Sequence, residues 1–212
     1  MRKLLGLAVV VILLLGADTA ARSYAQGKLA DRARQAAPEA TDVTARISSF
    51  PFLGRLAVSE DVTDISLHFT DVVAAGLRFA AVDVDMHGVV IDRNELISQR
   101  KVRLLRIDHG TVAVELAASE LSRALGAQVG IRGRGVEVGG TGGSSVTATP
   151  AVTGNRLLLR TANLPTLALA IPRTTLIPCA ATVVVSGDRL RISCSINQVP
   201  PALLDVANNS SG

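Results

Sequence analysis

The stretch ISLHFTDVVAAGLRFAAVDVDMH, residues 65–87, decides the fold class. Ile65, Leu67 and Phe69 alternate with Ser66 and His68. Leu77, Phe79 and Ala81 repeat the pattern, and Val82, Val84 and Met86 then alternate with Asp83, Asp85 and His87. A period of two sends successive side chains to opposite faces, so these are half-buried strands and not helix. The apolar parity flips between Ala81 and Val82. On one continuous strand that flip would swing the core face outward, which predicts a β-bulge at this point.

Working outward, Ala21, Ala25, Leu29, Ala33 and Ala36 recur at helical spacing within residues 19–37, and Pro38 stops the run. Asp92-Arg93-Asn94-Glu95 opens a short capped turn. Residues 102–107 and 111–116 read as two strands joined at His109-Gly110, and Ser119 reads as the cap of a short helix, 120–125, closed by Gly126. Short strands follow around Val136, Val146, 157–159 and 167–171, and Pro200-Pro201 starts a last helical turn through Leu203. Regular crossover helices are missing, so the expected architecture is a strand-rich, mostly antiparallel α+β domain.

Of the 212 residues 48% are apolar, 19% charged and 2% aromatic, which is enough apolar side chain to order a core and excludes intrinsic disorder. The length fits one domain with short appendages, at about 100–200 residues per domain. There is no Trp, and Tyr24, Phe50, Phe52, Phe69 and Phe79 are the only aromatics. That is poor material for stacking bases or sugar rings.

Arg2 and Lys3 precede an uncharged apolar run of fourteen residues, Leu4 to Ala17, ended by Asp18. This is signal-peptide length and short of the roughly 20 residues that span a bilayer comfortably. A cleaved export signal and a retained anchor both fit. In either case the positive flank stays inside and the rest is exported to the periplasm or cell envelope, soluble after cleavage or anchored by the apolar segment. No Cys follows the run, so lipoprotein processing does not apply. The chain divides into residues 1–21, signal peptide or signal anchor; 22–207, a single domain; and 208–212, a disordered tail.

Cys179 and Cys194 flank CAATVVVSGDRLRISC, an apolar run and an alternating strand around Ser186-Gly187-Asp188. A two-residue Ser186-Gly187 loop sets the cysteines directly opposite each other; a loop shifted by one residue on each side makes them diagonal neighbours. Both registers are compatible with a structural disulfide, and neither CxxC spacing nor partner histidines suggest redox or metal chemistry.

Asp83 and Asp85 share one strand face and could form a carboxylate pair. Asp alternating with Val and Met is also how an ordinary half-exposed strand reads, and nothing identifies a nucleophile. His68, His87 and His109 have no ligand spacing between them. The glycine-rich GIRGRGVEVGGTGG, 130–143, lacks the GK[ST] ending of a phosphate loop and reads as turns or a hairpin tip. Arg100, Lys101, Arg103 and Arg106 form a basic cluster, either a solvated strand face or a contact for anionic lipid headgroups. No catalytic residue, metal or cofactor is assigned, and nucleic acid is not an expected partner. The aliphatic strands suit an acyl-chain lining as well as they suit a packed core.

At residues 47–57, ISSFPFLGRLA, a known pattern emerges. An N-terminal apolar segment, an alanine-rich helix and an S/G-F-P-F-L element leading into alternating strands resembles the LmeA-like family of phospholipid-binding proteins of the actinobacterial (mycobacterial) cell envelope. The resemblance covers the layout of residues 1–125, including VAVELAASELSRALG at 112–126, and extends through the closing hairpin. It implies a curved antiparallel sheet wrapped around the N-terminal helix, similar to tubular (BPI-like) lipid-binding domains, with an apolar slot for acyl chains. It further implies phosphatidylinositol-type lipid binding, support of lipoglycan mannan elongation, and no catalytic residues.

Beside it, Pro51 biases Phe50 toward extended backbone, so Phe50 and Phe52 are expected on one face. The expected lipid-binding residues are Phe50, Phe52 and Leu53 at the entrance, Phe69, Phe79, Val84 and Met86 further in, and Arg55 near the mouth. Expected partners are a phospholipid or glycolipid, the membrane surface and envelope glycosyltransferases. The competing reading is a non-enzymatic, membrane-tethered scaffold with a solid core.

Overall fold

The structure, a computed structural model, describes residues 2–59, 61–92, 94–95, 98, 104–133, 135–139, 145–162, 164–171 and 179–198, with side chains from residue 13 onward except at 36, 56, 57, 61 and 104. A long helix α1 (Arg2–Ala36) leads to β1 (Asp42–Ile47), helix α2 (Phe52–Ser59), and the long strands β2 (Asp61–Ala74) and β3 (Leu77–Ile91). There follow β4 (Leu104–Arg106), β5 (His109–Ala117) and helix α3 (Ala118–Leu125). The chain continues with β6 (Val129–Arg132), β7 (Gly135–Gly139), β8 (Ser145–Thr153), β9 (Arg156–Thr161), β10 (Leu167–Ala170), β11 (Thr182–Ser186) and β12 (Arg189–Ile196).

The expected α+β class holds, but the strands form two sheets among the described residues. One has the order β1-β2-β3-β5-β12-β11 with β4 also on β3; the other runs β10-β9-β8-β7-β6, and every pairing is antiparallel. Neither is closed into a tube around α1, which packs beside β1 and α2 at one edge of the larger sheet. Both sheets contribute to one aliphatic core, from Val62, Phe79, Leu116, Leu190 and Ile192 in the larger to Val136, Leu157 and Leu159 in the smaller, all fully buried. Each such side chain contributes about 1.5–3 kcal/mol.

Helix α1 runs without a break through both the apolar segment and the helix expected at 19–37. Its Ala21, Ala25, Leu29 and Ala33 pack against the core, as their four-residue spacing dictates. Among the residues whose side chains are described, no helix is long and apolar enough to cross a membrane.

Several local expectations need correction. No register shift occurs at Ala81/Val82: Thr70↔Ala81 and Val72↔Phe79 keep one register, and β3 to β5 runs evenly from Ala81 to His87. The irregularity lies on the opposite strand, where Asp71 takes φ 59° and drops out of the ladder with Ala80. Gly110 is no turn residue. It lies inside β5, where a Cβ would come 2.6 Å from the Asp85 carbonyl oxygen, so only glycine allows β3 to approach. Strands β4 and β5 follow one another along the same edge of β3. Ser119 does not cap α3, which starts at Ala118, two residues earlier than expected, after Ala117 and without a side-chain cap, although Gly126 closes it in the left-handed region as expected. The 200–203 turn and the tail lie outside the described residues.

The closing hairpin takes the shifted register. Ser186 pairs with Arg189 across Gly187-Asp188, with Gly187 at φ 63° where a two-residue II′ loop needs it. Cys194 is therefore diagonal to Cys179, and the two form a disulfide at a Cα separation of 5.7 Å.

Candidate functional site

The larger sheet has two chemically opposed faces. On the apolar one, successive cross-strand rows are Ile65–Met86–Gly110–Ile196, Leu67–Val84–Val112–Cys194 and Phe69–Val82–Val114–Ile192. Met86, Val84 and Phe69 thus lie in three adjacent rows, Met86 and Val84 buried and Phe69 half-buried against the core.

Helix α2 caps this face at the Met86 end, tied to β2 through Thr63: Arg55 donates from Nη1 to the Thr63 hydroxyl at 2.9 Å. Phe52 opens α2 and is buried at 4% exposure, whereas Phe50 is 62% exposed and Leu53 40%. Phe50 and Phe52 therefore do not share a face. The expectation rests on extended backbone through Pro51, but the helix begins at Phe52, so a period of two does not cross the junction. Phe79 is fully buried but pairs with Val72, nine residues along β2 from Thr63, or about 30 Å in strand geometry. It belongs to the far end of the sheet, near α3, and not with Phe52. Arg55 is exposed on α2. Of the basic cluster, Arg100, Lys101 and Arg103 lie outside the described residues, and Arg106 sits 3.7 Å from Asp108.

One residue that orders this end was not assigned a role from sequence. Asp18, on α1, is 5% exposed and accepts the Leu53 amide N–H at 2.7 Å. A carboxylate at a helix start satisfies an orphan donor and opposes the positive end of the helix dipole. With Gln26 donating to the Ile47 carbonyl and Arg34 to that of Val43, it fastens α1 to α2 and β1. In the sequence Asp18 is legible only as the end of an apolar run.

The polar face carries a belt of charges over four strands. His68 Nδ1 lies 2.6 Å from Asp83, Arg191 donates to Asp83 at 2.9 Å and to Glu115 at 3.0 Å, and Arg189 donates to Glu115 at 3.1 Å. Burial works against the Arg191 charge, but the Asp83 and Glu115 carboxylates outweigh it and hold the guanidinium above its ordinary value. His87 lies 2.5 Å from Asp64 and stacks on His109 at 4.7 Å between ring centroids. No group of three metal-ligating side chains converges among the described residues. Asp83 is engaged as an ion-pair partner, and Asp85 holds ladder register with Ser66 and Thr111.

At the far end, Glu120 on α3 is buried. It accepts the Arg78 amide N–H at 2.8 Å and is paired with Arg123, which also donates to the Gly76 carbonyl. The Arg123 hydrogen bond, working against burial and helped by the Arg78 amide, holds its carboxyl below the usual range. This latch fixes the β2–β3 turn to α3.

The chain therefore combines a buried aliphatic sheet face, an α2 end with exposed apolar side chains, and a polar face occupied by ion pairs. The model of the LmeA-like phospholipid-binding family matches residues 16–207. No curated protein and no solved structure matches the chain. The matched span begins two residues before Asp18 and takes in every strand of both sheets. The chain belongs to the LmeA-like family of phospholipid-binding proteins.

Proposed function

We propose that this chain is an exported, non-enzymatic envelope protein that holds an acyl chain of a phosphatidylinositol-type phospholipid against the aliphatic face of its larger sheet. Entry is at the α2 end, where Phe50 and Leu53 stay exposed beside Arg55. The observation that carries the reading is the run of adjacent apolar rows through Met86, Val84 and Phe69 beginning at α2, in a member of a phospholipid-binding family. A methylene transferred from water to such a face gains about 0.8 kcal/mol, and the aliphatic lining asks for no hydrogen bond in return. Arg2 and Lys3 before the apolar run support export with that flank left inside. Presentation of such a lipid to envelope glycosyltransferases would support mannan elongation on lipoglycans.

A second reading is a membrane-tethered scaffold with a solid core. It is favoured by Ile65, Val84 and Met86 being covered by the protein's own side chains. Native mass spectrometry separates the two, using a chain beginning at Gly16, which keeps Asp18, purified without detergent from an actinobacterial host. The expected result is one phospholipid per chain, recovered and typed after solvent extraction. An apo mass that stays unchanged after incubation with phosphatidylinositol vesicles would leave the scaffold.

A further inference from the structure

Helix α1 emerges from the domain uncovered. Residues 13–17 are exposed without exception, with Leu13 at 66%, Leu14 at 65% and Leu15 at 45%. Successive helical residues are about 100° apart, so five exposed positions in a row lie around the whole circumference. Residues 13–17, bare on all sides, continue an uncharged apolar run that begins at Leu4, and such a segment is a membrane element, since water would not hold it. The change is abrupt: Asp18, the next residue, is buried and bonded to Leu53. That bond puts the start of α2, with exposed Phe50 and Leu53, at the level where α1 leaves the domain.

We propose that α1 is kept as a membrane anchor and that Asp18 clamps α2 to it, so that Phe50 and Leu53 sit in the headgroup layer of the same bilayer. The occupant of this apolar collar is the lipid surface, because the collar is continuous with the bare helix. Length supports it. Fourteen apolar residues, Leu4 to Ala17, rise about 21 Å, against about 30 Å of hydrocarbon. A helix this short draws the domain onto the membrane, within the 5–10 Å depth at which interfacial apolar side chains lodge. Cleavage between Ala17 and Ala21 would free the helix from its anchor, and any cut beyond Asp18 would remove the clamp. The proposal is independent of whether an acyl chain enters the core.

The chain contains no Trp, so a single introduced Trp reports without background. Phe50→Trp and Leu53→Trp alter exposed side chains, and Val184→Trp, at a 53% exposed position on β11, is the control. The full chain carrying each is reconstituted into phosphatidylcholine/phosphatidylinositol vesicles, with and without phosphatidylcholine brominated high on its acyl chains. The expected result is blue-shifted emission and loss of intensity to bromolipid at 50 and 53, with neither at 184. Adding Asp18→Ala to Leu53→Trp should reduce the quenching while the protein stays vesicle-bound. Emission at 50 and 53 indistinguishable from 184 would overturn the proposal. So would an envelope-fraction protein whose N-terminal peptide starts at Asp18 or beyond.

Discussion

Replacing Asp18 by Ala tests the α1–α2 clamp directly. Asp18 is 5% exposed and accepts one amide N–H, at 2.7 Å, from the first turn of α2. A hydrogen bond to a charged group contributes about 1.5–3 kcal/mol, and loss of a capping side chain costs about 0.5–2 kcal/mol. Asp18→Ala should therefore loosen α2 by about 2 kcal/mol, whereas Asp18→Asn keeps an acceptor and loses only the dipole contribution, about 0.3–1 kcal/mol. Since each 1.4 kcal/mol is a factor of ten, amide exchange in the 52–59 segment should quicken about 30-fold in the Ala variant and under about sixfold in the Asn variant. Exchange mass spectrometry reads this, with β5 and β12 peptides as internal references. If α2 exchanges at the wild-type rate in Asp18→Ala, the clamp is not what holds the helix. If β5 and β12 quicken equally, Asp18 supports the whole fold and not this end of it.

Three other outcomes follow from the ion pairs and the disulfide. Glu120 has a lowered folded pKa, so its stabilisation is present above about pH 4.3, its unfolded value, and fades as pH falls through the lower folded value. Urea midpoints should show Glu120→Gln less stable than wild type at about pH 7, by under about 1 kcal/mol given the exposed Arg123 partner, with the gap closing as pH falls through the lowered folded value. Cys194→Ser opens a loop of sequence separation 15 and should cost about 3 kcal/mol, lowering Tm by about 6–12 °C in a thermal scan under oxidising conditions. Asp83→Asn together with Asp85→Asn should leave phospholipid occupancy by native mass spectrometry within about twofold, because Asp83 serves an ion-pair belt on the polar face. A complete loss of occupancy in a folded double variant would place function at those carboxylates.

What was legible in the sequence is what local periodicity controls. Val84 and Met86 alternate with aspartates and lie on the apolar face; Ala21, Ala25, Leu29 and Ala33 recur every fourth residue and pack inward. Two cysteines flanking an alternating segment form a disulfide once the register is allowed to shift by one on each side. What was not legible depends on partners remote in the chain. Ala81 and Val82 lie on opposite faces of an evenly paired β3 and both are buried, while the local irregularity falls at Asp71 on the facing strand. Phe79 has the same pattern as Phe69, and only the pairing register shows that it faces Val72, three residues or about 10 Å beyond Phe69 along β2 and on the side away from α2. Asp18 meets Leu53 across 35 residues because α1 lies against α2, a contact that no local pattern encodes.

The packing also bears on where the core would open for a lipid. Among its residues described as packed on the core, α1 offers three alanines and one leucine: Ala21, Ala25, Leu29 and Ala33. An alanine buries a single methyl group, worth about 0.8 kcal/mol, against about 1.5–3 kcal/mol for each buried Leu, Ile or Phe. The interior contacts made by Leu116, Leu190 and Ile192 are accordingly far costlier to part than the seam beneath α1. An acyl chain sliding into that seam would restore about 0.8 kcal/mol per methylene, so a few methylenes offset what the alanines give up. Opening at α1 also leaves the disulfide and the Glu120 latch untouched, since both tie elements at other edges of the sheets. Ala21, Ala25 and Leu29 are only half-buried and lie along the same helix that Asp18 fastens to α2. Among the described residues, that makes the α1–α2 edge, once its polar ties at Asp18, Gln26 and Arg34 part, the edge at which the proposed acyl chain would enter.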